Sequence, residues 1–296
     1  MSKTRSLKYQ FLNCIEKNFK TGINKHSLKQ TGKTGNEIFS YSQRKNLIDL
    51  SANFSNWMKE NHPDIKQIKD IKQEHVQEFL NHKRTTTSQA TVDNWRSQFN
   101  KLECITNSTY RTSVNFHTEK VLSTKNGGGK LRTDMLSMEN YNKLMSNSTN
   151  QNFRNALCLS QHFGLRACEC SKLQYRDITE NGINVVDSKG GRSRFVPVET
   201  QQQKNVIKEF LGKAGRVCSC KTASLQQAFN REKKKIGLSS ASDFHSSRKA
   251  YATQKFQEYR QQGMSVQKSL DRVSNNLGHG NNRDDLLKEY ICCPIQ

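Results

Sequence analysis

His245-Ser246-Ser247-Arg248-Lys249-Ala250-Tyr251-Ala252-Thr253 falls inside a segment, Phe244 to Tyr259, whose apolar spacing predicts a helix. Its histidine and arginine stand three residues apart, so a helix turns both toward one face. Four other positions carry side chains of matching chemistry. Arg166 lies in Gly164-Leu165-Arg166-Ala167-Cys168-Glu169, and Lys189 lies in Ser188-Lys189-Gly190-Gly191-Arg192. His279 follows Leu277-Gly278, and Tyr290 comes eleven residues later. These six groups supply what phosphoryl transfer on DNA needs without a metal: a nucleophile, fixed cations around the phosphate, and an acid for the departing 5′ oxygen. Guanidinium groups grip phosphate oxygens in pairs and keep their charge throughout. Taken singly, each string is weak. A hairpin lysine is most often merely exposed, and a tyrosine near a C-terminus is usually a packing residue. The weight lies in the combination.

Working outward, the second half predicts a mostly helical domain with one small antiparallel β element. Ser137 to Met145 and Ala156 toward Arg166 read as helices. Ile183-Asn184-Val185-Val186 and Arg194-Phe195-Val196-Pro197-Val198 read as paired strands, with Lys189 at the tip of the turn between them. Further helices are expected around Val206–Leu211, Leu225–Ile236, Val266–Leu277 and Leu286–Ile291. Lys125-Asn126-Gly127-Gly128-Gly129-Lys130 reads as a linker, because consecutive glycines permit almost any backbone path. This gives domains at 1–125 and 131–296 joined by 126–130. In the first domain, four apolar stripes predict four helices that can bury their faces only against one another: Leu7 to Phe19, Leu47 to Met58, Val76 to Leu80, and Val92 to Leu102. Trp57 and Trp95 sit in those stripes and are read as core. The fold class is therefore mainly α. Residues 20–40 read as a long loop whose lysines, Lys20, Lys25, Lys29 and Lys33, together with Arg44, are candidates to follow a phosphate backbone.

Charge narrows the partner. The chain of 296 residues carries 48 Lys plus Arg against 26 Asp plus Glu, a net charge of +22. Residues 1–125 contribute +10 and residues 126–296 contribute +12, so neither half is a basic tail on a neutral body. A surplus spread in this way favours a polyanion, whose condensed counterions are released on binding. No apolar run resembles a signal peptide or a membrane span, which predicts a cytoplasmic protein with no membrane partner. The nine cysteines lack paired zinc spacing; they are read as reduced thiols, several of them core fillers, with no metal site.

The order of the six groups resembles the tyrosine recombinase (phage integrase) family over nearly all of residues 131–291. The family's arginine box is matched by Gly164 to Leu173 with Glu169, and its hairpin lysine by Lys189 before Val196-Pro197-Val198. Its His-x-x-Arg box is matched by His245 and Arg248, its Leu-Gly-His box by Leu277 to His279, and its nucleophile by Tyr290. Lys249 stands where many relatives have a second histidine, Ser247 where an apolar residue is usual, and the interval from His279 to Tyr290 is slightly long. The resemblance implies a helical core-binding domain followed by a catalytic domain. It also implies a site-specific recombinase or integrase that cuts and rejoins DNA through a 3′-phosphotyrosine, with no metal, ATP or other cofactor. Its catalytic residues would be Arg166, Lys189, His245, Arg248, His279 and Tyr290, with Glu169 a structural partner for a nearby cation. The implied partners are double-stranded DNA, a homotetramer on two paired sites, and accessory DNA-bending proteins. The implied setting is a mobile element of bacterial or phage origin. Alternatives with the same chemistry are a type IB topoisomerase-like enzyme or a resolvase; the alternative from another class is an accessory DNA-binding protein of this fold without catalysis.

Overall fold

Short polar side chains set where the helices begin. In the computed structural model, Ser40, Ser137, Asn150, Thr200 and Ser265 each accept a hydrogen bond from a backbone N–H of the turn that follows, satisfying donors the helix leaves orphaned. The structure describes residues 5–23, 28, 32, 37–125, 134–188, 191–239, 241–280 and 283–295. The expected linker at 126–130 and Lys189 lie outside them. The chain divides into two compact units, Met1–Gly129 and Lys130–Gln296.

In the first unit the helices are α1 (Leu7–Lys17), α2 (Tyr41–Asn61), α3 (Gln73–Lys83) and α4 (Gln89–Tyr110). Their apolar faces meet on Phe11, Phe54, Phe79 and Phe99, with the Phe54 ring 5.3 Å from Phe79 and 5.1 Å from Phe99. Trp57 is buried there, and the half-buried Trp95 packs against Phe79. One feature escaped the periodicity. After Arg111 turns the chain through a left-handed conformation, an extended segment buries Val114, Phe116 and Val121 in the same core. Arg44, one of the candidates to follow a phosphate backbone, is half-buried. It is ion-paired with Glu16, and its guanidinium lies over Phe19, 5.2 Å from the ring centre. Lys20 is exposed, while Lys25, Lys29 and Lys33 lie outside the described residues.

The second unit contains α5 (Met138–Asn147), α6 (Gln151–Phe163) and the single turn α7 (Ala167–Cys170), then β1 (Ile178–Thr179), β2 (Gly182–Val185) and β3 (Arg194–Pro197). It ends with α8 (Gln201–Lys208), α9 (Thr222–Lys235), α10 (Phe244–Gln261), α11 (Val266–Leu277) and α12 (Asp284–Leu287). The sheet is antiparallel in the order β1-β2-β3, with Ile183 opposite Val196 and Ile178 opposite Ile183. Strand β1 was not expected from the sequence, because two residues are too few to show alternation. Helix α10 lies against α6 and α11. Its first residue, Phe244, joins the core of α5, α6, the sheet and α9, while Tyr251, Phe256 and Tyr259 join a second cluster with α11, Leu287, Tyr290 and Ile291. The last helix corrects an expectation. It stops at Leu287, and Tyr290 stands in the turn that follows rather than on the helix itself.

Candidate active site

Two left-handed glycines deliver two of the expected site residues. Gly164 ends α6 at φ 62°, and a β-carbon there would come 2.4 Å from the Tyr251 ring, so only glycine fits. The chain emerges as Leu165, which is buried, and Arg166, which precedes α7. Gly278 ends α11 at φ 73° and releases His279. These are the glycines of Gly-Leu-Arg and Leu-Gly-His, and the backbone turn explains why each string carries one.

Glu169 holds the arginine side of the site together. Its carboxylate accepts the Arg166 backbone N–H at 2.8 Å and the Arg166 guanidinium at 2.7 Å. Arg194 of β3 donates to both of its oxygens at 2.8 and 2.9 Å, and the Ser188 hydroxyl donates to it as well. Burial alone would raise this carboxyl's pKa. The hydrogen bond and charge of Arg194, with the charge of Arg248, instead hold it far below the usual carboxylate range. A bidentate arginine–carboxylate pair fixes direction as well as distance. Arg194 also donates through Nε to the Asn276 carbonyl at 2.7 Å, tying the sheet to the end of α11 just before His279.

Helix α10 supplies the other cation. Asp243 caps it by accepting the His245 N–H at 2.7 Å. Arg248, one turn on, is 1% exposed. Its guanidinium donates to the carbonyls of Gly164 and Leu277, the C-terminal ends of α6 and α11. Those carbonyls would otherwise be orphaned, and they form the negative ends of two helix dipoles. Burial, and then the nearby charge of Arg166, pull the Arg248 pKa down to about 10, which leaves it cationic at neutral pH.

His279 stands between the two guanidiniums. Its Nε2 accepts from Arg166 Nη2 and from Arg248 Nη2, each at 3.3 Å. Only a neutral ring can accept at that nitrogen. Burial first, then the charges of Arg248, Arg166, Arg283 and Arg194, lower its pKa to about 3. The Tyr290 ring, itself only 7% exposed, completes the group. Its centre is 5.4 Å from the His279 ring and 5.9 Å from the His245 ring, and the Arg248 guanidinium carbon lies 5.6 Å from it. Arg166, His245 and Arg248 also line a cleft of about 510 Å³, together with Gln226 and Asn230 of α9.

The fold thus brings together Arg166, His245, Arg248, His279 and Tyr290; Lys189, the sixth expected residue, lies outside the described positions. Arg194 and Ser188 were not assigned to the site beforehand. Arg194 reads as one basic residue among several on a hairpin, and nothing in a single sequence marks it as the partner of Glu169. Tyr251 and Tyr259, the two tyrosines of α10, are buried in the second core cluster.

Residues 134–282 match the model of the Phage integrase family. No curated protein matches the chain in sequence. Among solved structures, a lambda integrase dimer bound to a COC′ core site is 18% identical, with a TM-score of 0.61 over 90% of this chain and 92% of that one. XerH site-specific recombinase bound to a palindromic difH substrate is 14% identical, with a TM-score of 0.61 over 99% of this chain and 95% of that one. The Tn1549 transposon integrase in complex with a circular intermediate DNA is 14% identical, with a TM-score of 0.59 over 97% and 95%. At these identities the likeness is one of fold. The family match spans half of the chain and contains the arginine, His-x-x-Arg and Leu-Gly-His strings whose side chains converge here, so the chain belongs to the phage integrase family of tyrosine recombinases.

Proposed function

We propose that this chain is a site-specific DNA recombinase that cleaves and rejoins strands through a covalent link to Tyr290. The observation that carries this reading is the convergence of Arg166, Arg248 and His279, with 3.3 Å between each guanidinium and the imidazole, beside the Tyr290 ring. The scissile phosphate would enter between the two guanidiniums. A phosphate oxygen would then take over the acceptor role that His279 Nε2 fills in the free protein. The added negative charge favours the protonated imidazole, which becomes a donor to the same phosphate. The phenol oxygen of Tyr290 attacks phosphorus, the bond from phosphorus to the 5′ oxygen breaks, and the products are a 3′-phosphotyrosine and a free 5′-hydroxyl. His245 is assigned to take the phenol proton, and Lys189 to protonate the leaving oxygen. The reverse attack by a 5′-hydroxyl from a partner strand reseals the backbone. Bond energy is conserved in the protein–DNA link, so neither ATP nor another cofactor enters the balance.

Residues 131–296 would be the catalytic domain, residues 1–125 a core-binding domain, and 126–130 the tether. The net charge of +22 suits a double-stranded DNA partner. Strand exchange between two duplexes calls for four active sites, hence a homotetramer on paired sites. The DNA-bound neighbours, one of them a dimer, support the DNA partner and self-association. Incubating the protein with a duplex nicked near the cleavage position, so that the freed fragment diffuses away, traps any covalent adduct. The parent chain is expected to give an adduct that denaturing gels resolve, and Tyr290→Phe to give none. An adduct persisting in Tyr290→Phe means another residue is the nucleophile.

A further inference from the structure

The segment that carries Tyr290 runs out of helical hydrogen bonds where it matters most. The Tyr290 and Ile291 N–H groups still donate to the Leu287 carbonyl at 2.9 Å. The next amide, Cys292 N–H, turns instead to the Thr253 hydroxyl of α10 at 2.9 Å. That same hydroxyl donates to the Tyr290 carbonyl at 3.4 Å. Thr253 is buried, so the oxygen stands as a fixed anchor between two backbone groups on either side of Ile291. It also lies five residues after Arg248 on one helix, so the contact sets the tyrosine's backbone in register with the cation beside its ring.

We propose that Thr253 is a positioning residue for the nucleophile. The proposal rests on the reading of Tyr290 as the attacking group. A phenol must reach phosphorus in line with the leaving oxygen, and a displacement of about 1 Å costs on the order of 100-fold in rate. A turn beyond a four-residue helix has little stiffness of its own, and the Thr253 hydroxyl supplies it from the rigid α10.

The test compares Thr253→Val, which keeps the shape and loses the hydroxyl, with Thr253→Ser, which keeps the hydroxyl. Both are run on the nicked duplex under single-turnover conditions beside the parent and Tyr290→Phe. Thr253→Val is expected to slow adduct formation at saturating protein by roughly 10- to 100-fold, with the half-saturating concentration unchanged and Thr253→Ser close to the parent. A merely structural role would not separate the maximal rate from half-saturation, nor recover with serine. Should Thr253→Val fail to fold, Cys292→Pro removes the same N–H from the tail side and is expected to show the same slow cleavage. The proposal is overturned if the hydroxyl-free variant cleaves like the parent, if serine is as slow as valine, or if the whole loss lies in half-saturation. An adduct in Tyr290→Phe would instead overturn the reading of the nucleophile, so the two failures are separate.

Discussion

At the scale of the residue, Arg166 and Arg248 bear the same group and do different work. Arg166 shares Glu169 with Arg194 and Ser188, so its loss leaves the carboxylate still paired. Arg166→Ala is therefore expected to fold and bind DNA almost as the parent does while adduct formation falls on the order of 100- to 1,000-fold, as happens when one donor to a developing charge is removed. Arg248 is also the hydrogen-bond donor to the ends of α6 and α11. Arg248→Ala leaves two carbonyls without that donor and should cost about 2–4 kcal/mol in stability as well as activity. Urea unfolding of the two variants separates these cases; equal stabilities would refute the structural role given to Arg248. The sequence makes both arginines visible as candidates. It gives no sign that one is spent on helix ends, because that depends on which carbonyls the fold brings within reach.

At the scale of the element, the site hangs on where helices stop. Gly164 and Gly280 are both left-handed, at φ 62° and 82°, but their surroundings differ. A β-carbon at Gly164 would strike the Tyr251 ring at 2.4 Å, whereas one at Gly280 would meet nothing within 4 Å. Gly164→Ala should then cost about 2–4 kcal/mol and disturb α10 and Arg166 with it, against about 1 kcal/mol of backbone strain alone for Gly280→Ala. Thermal unfolding and the adduct assay on the pair would expose the error if both variants behaved alike. Helix starts were legible where a serine sits directly before the apolar stripe, as at Ser137 and Ser265, whereas the helices capped by Ser40, Asn150 and Thr200 begin five or six residues before the first stripe residue. Three features were not: the two-residue β1, the extended segment around Phe116, and the early end of α12. Each is shorter than a helical or strand period, or is held by partners distant in the chain.

At the scale of the whole molecule, buried histidines tie stability to pH. Burial lowers the His162 pKa to about 4, and burial with four arginine charges lowers that of His279 to about 3. Both rings ordinarily titrate near 6.5, so below that pH the unfolded chain takes up protons that the folded chain refuses. Stability is then complete above pH 6.5 and declines as pH falls through 6 and 5. Glu169 and Glu199 push the same way at lower pH: their depressed pKa values contribute stability that is present above the ordinary carboxylate range and lost on acidification below it. His162→Phe, which keeps an aromatic ring beside Tyr141, should remove part of the decline, on the order of 2 kcal/mol at pH 5. Melting temperatures of parent and variant between pH 5 and 7.5 test this, and parallel curves would contradict it. The sequence by itself determined the helical stripes, the hairpin, the basic surplus and the ordered set of arginine, histidine and tyrosine strings, because periodicity, turn chemistry and charge are properties of local runs. Only the tertiary structure decided that Arg194 rather than Arg166 alone neutralises Glu169, that His279 sits neutral between two guanidiniums, and that Thr253 anchors the turn bearing Tyr290. Those outcomes depend on distances between groups 25 to 113 positions apart, which no local pattern encodes.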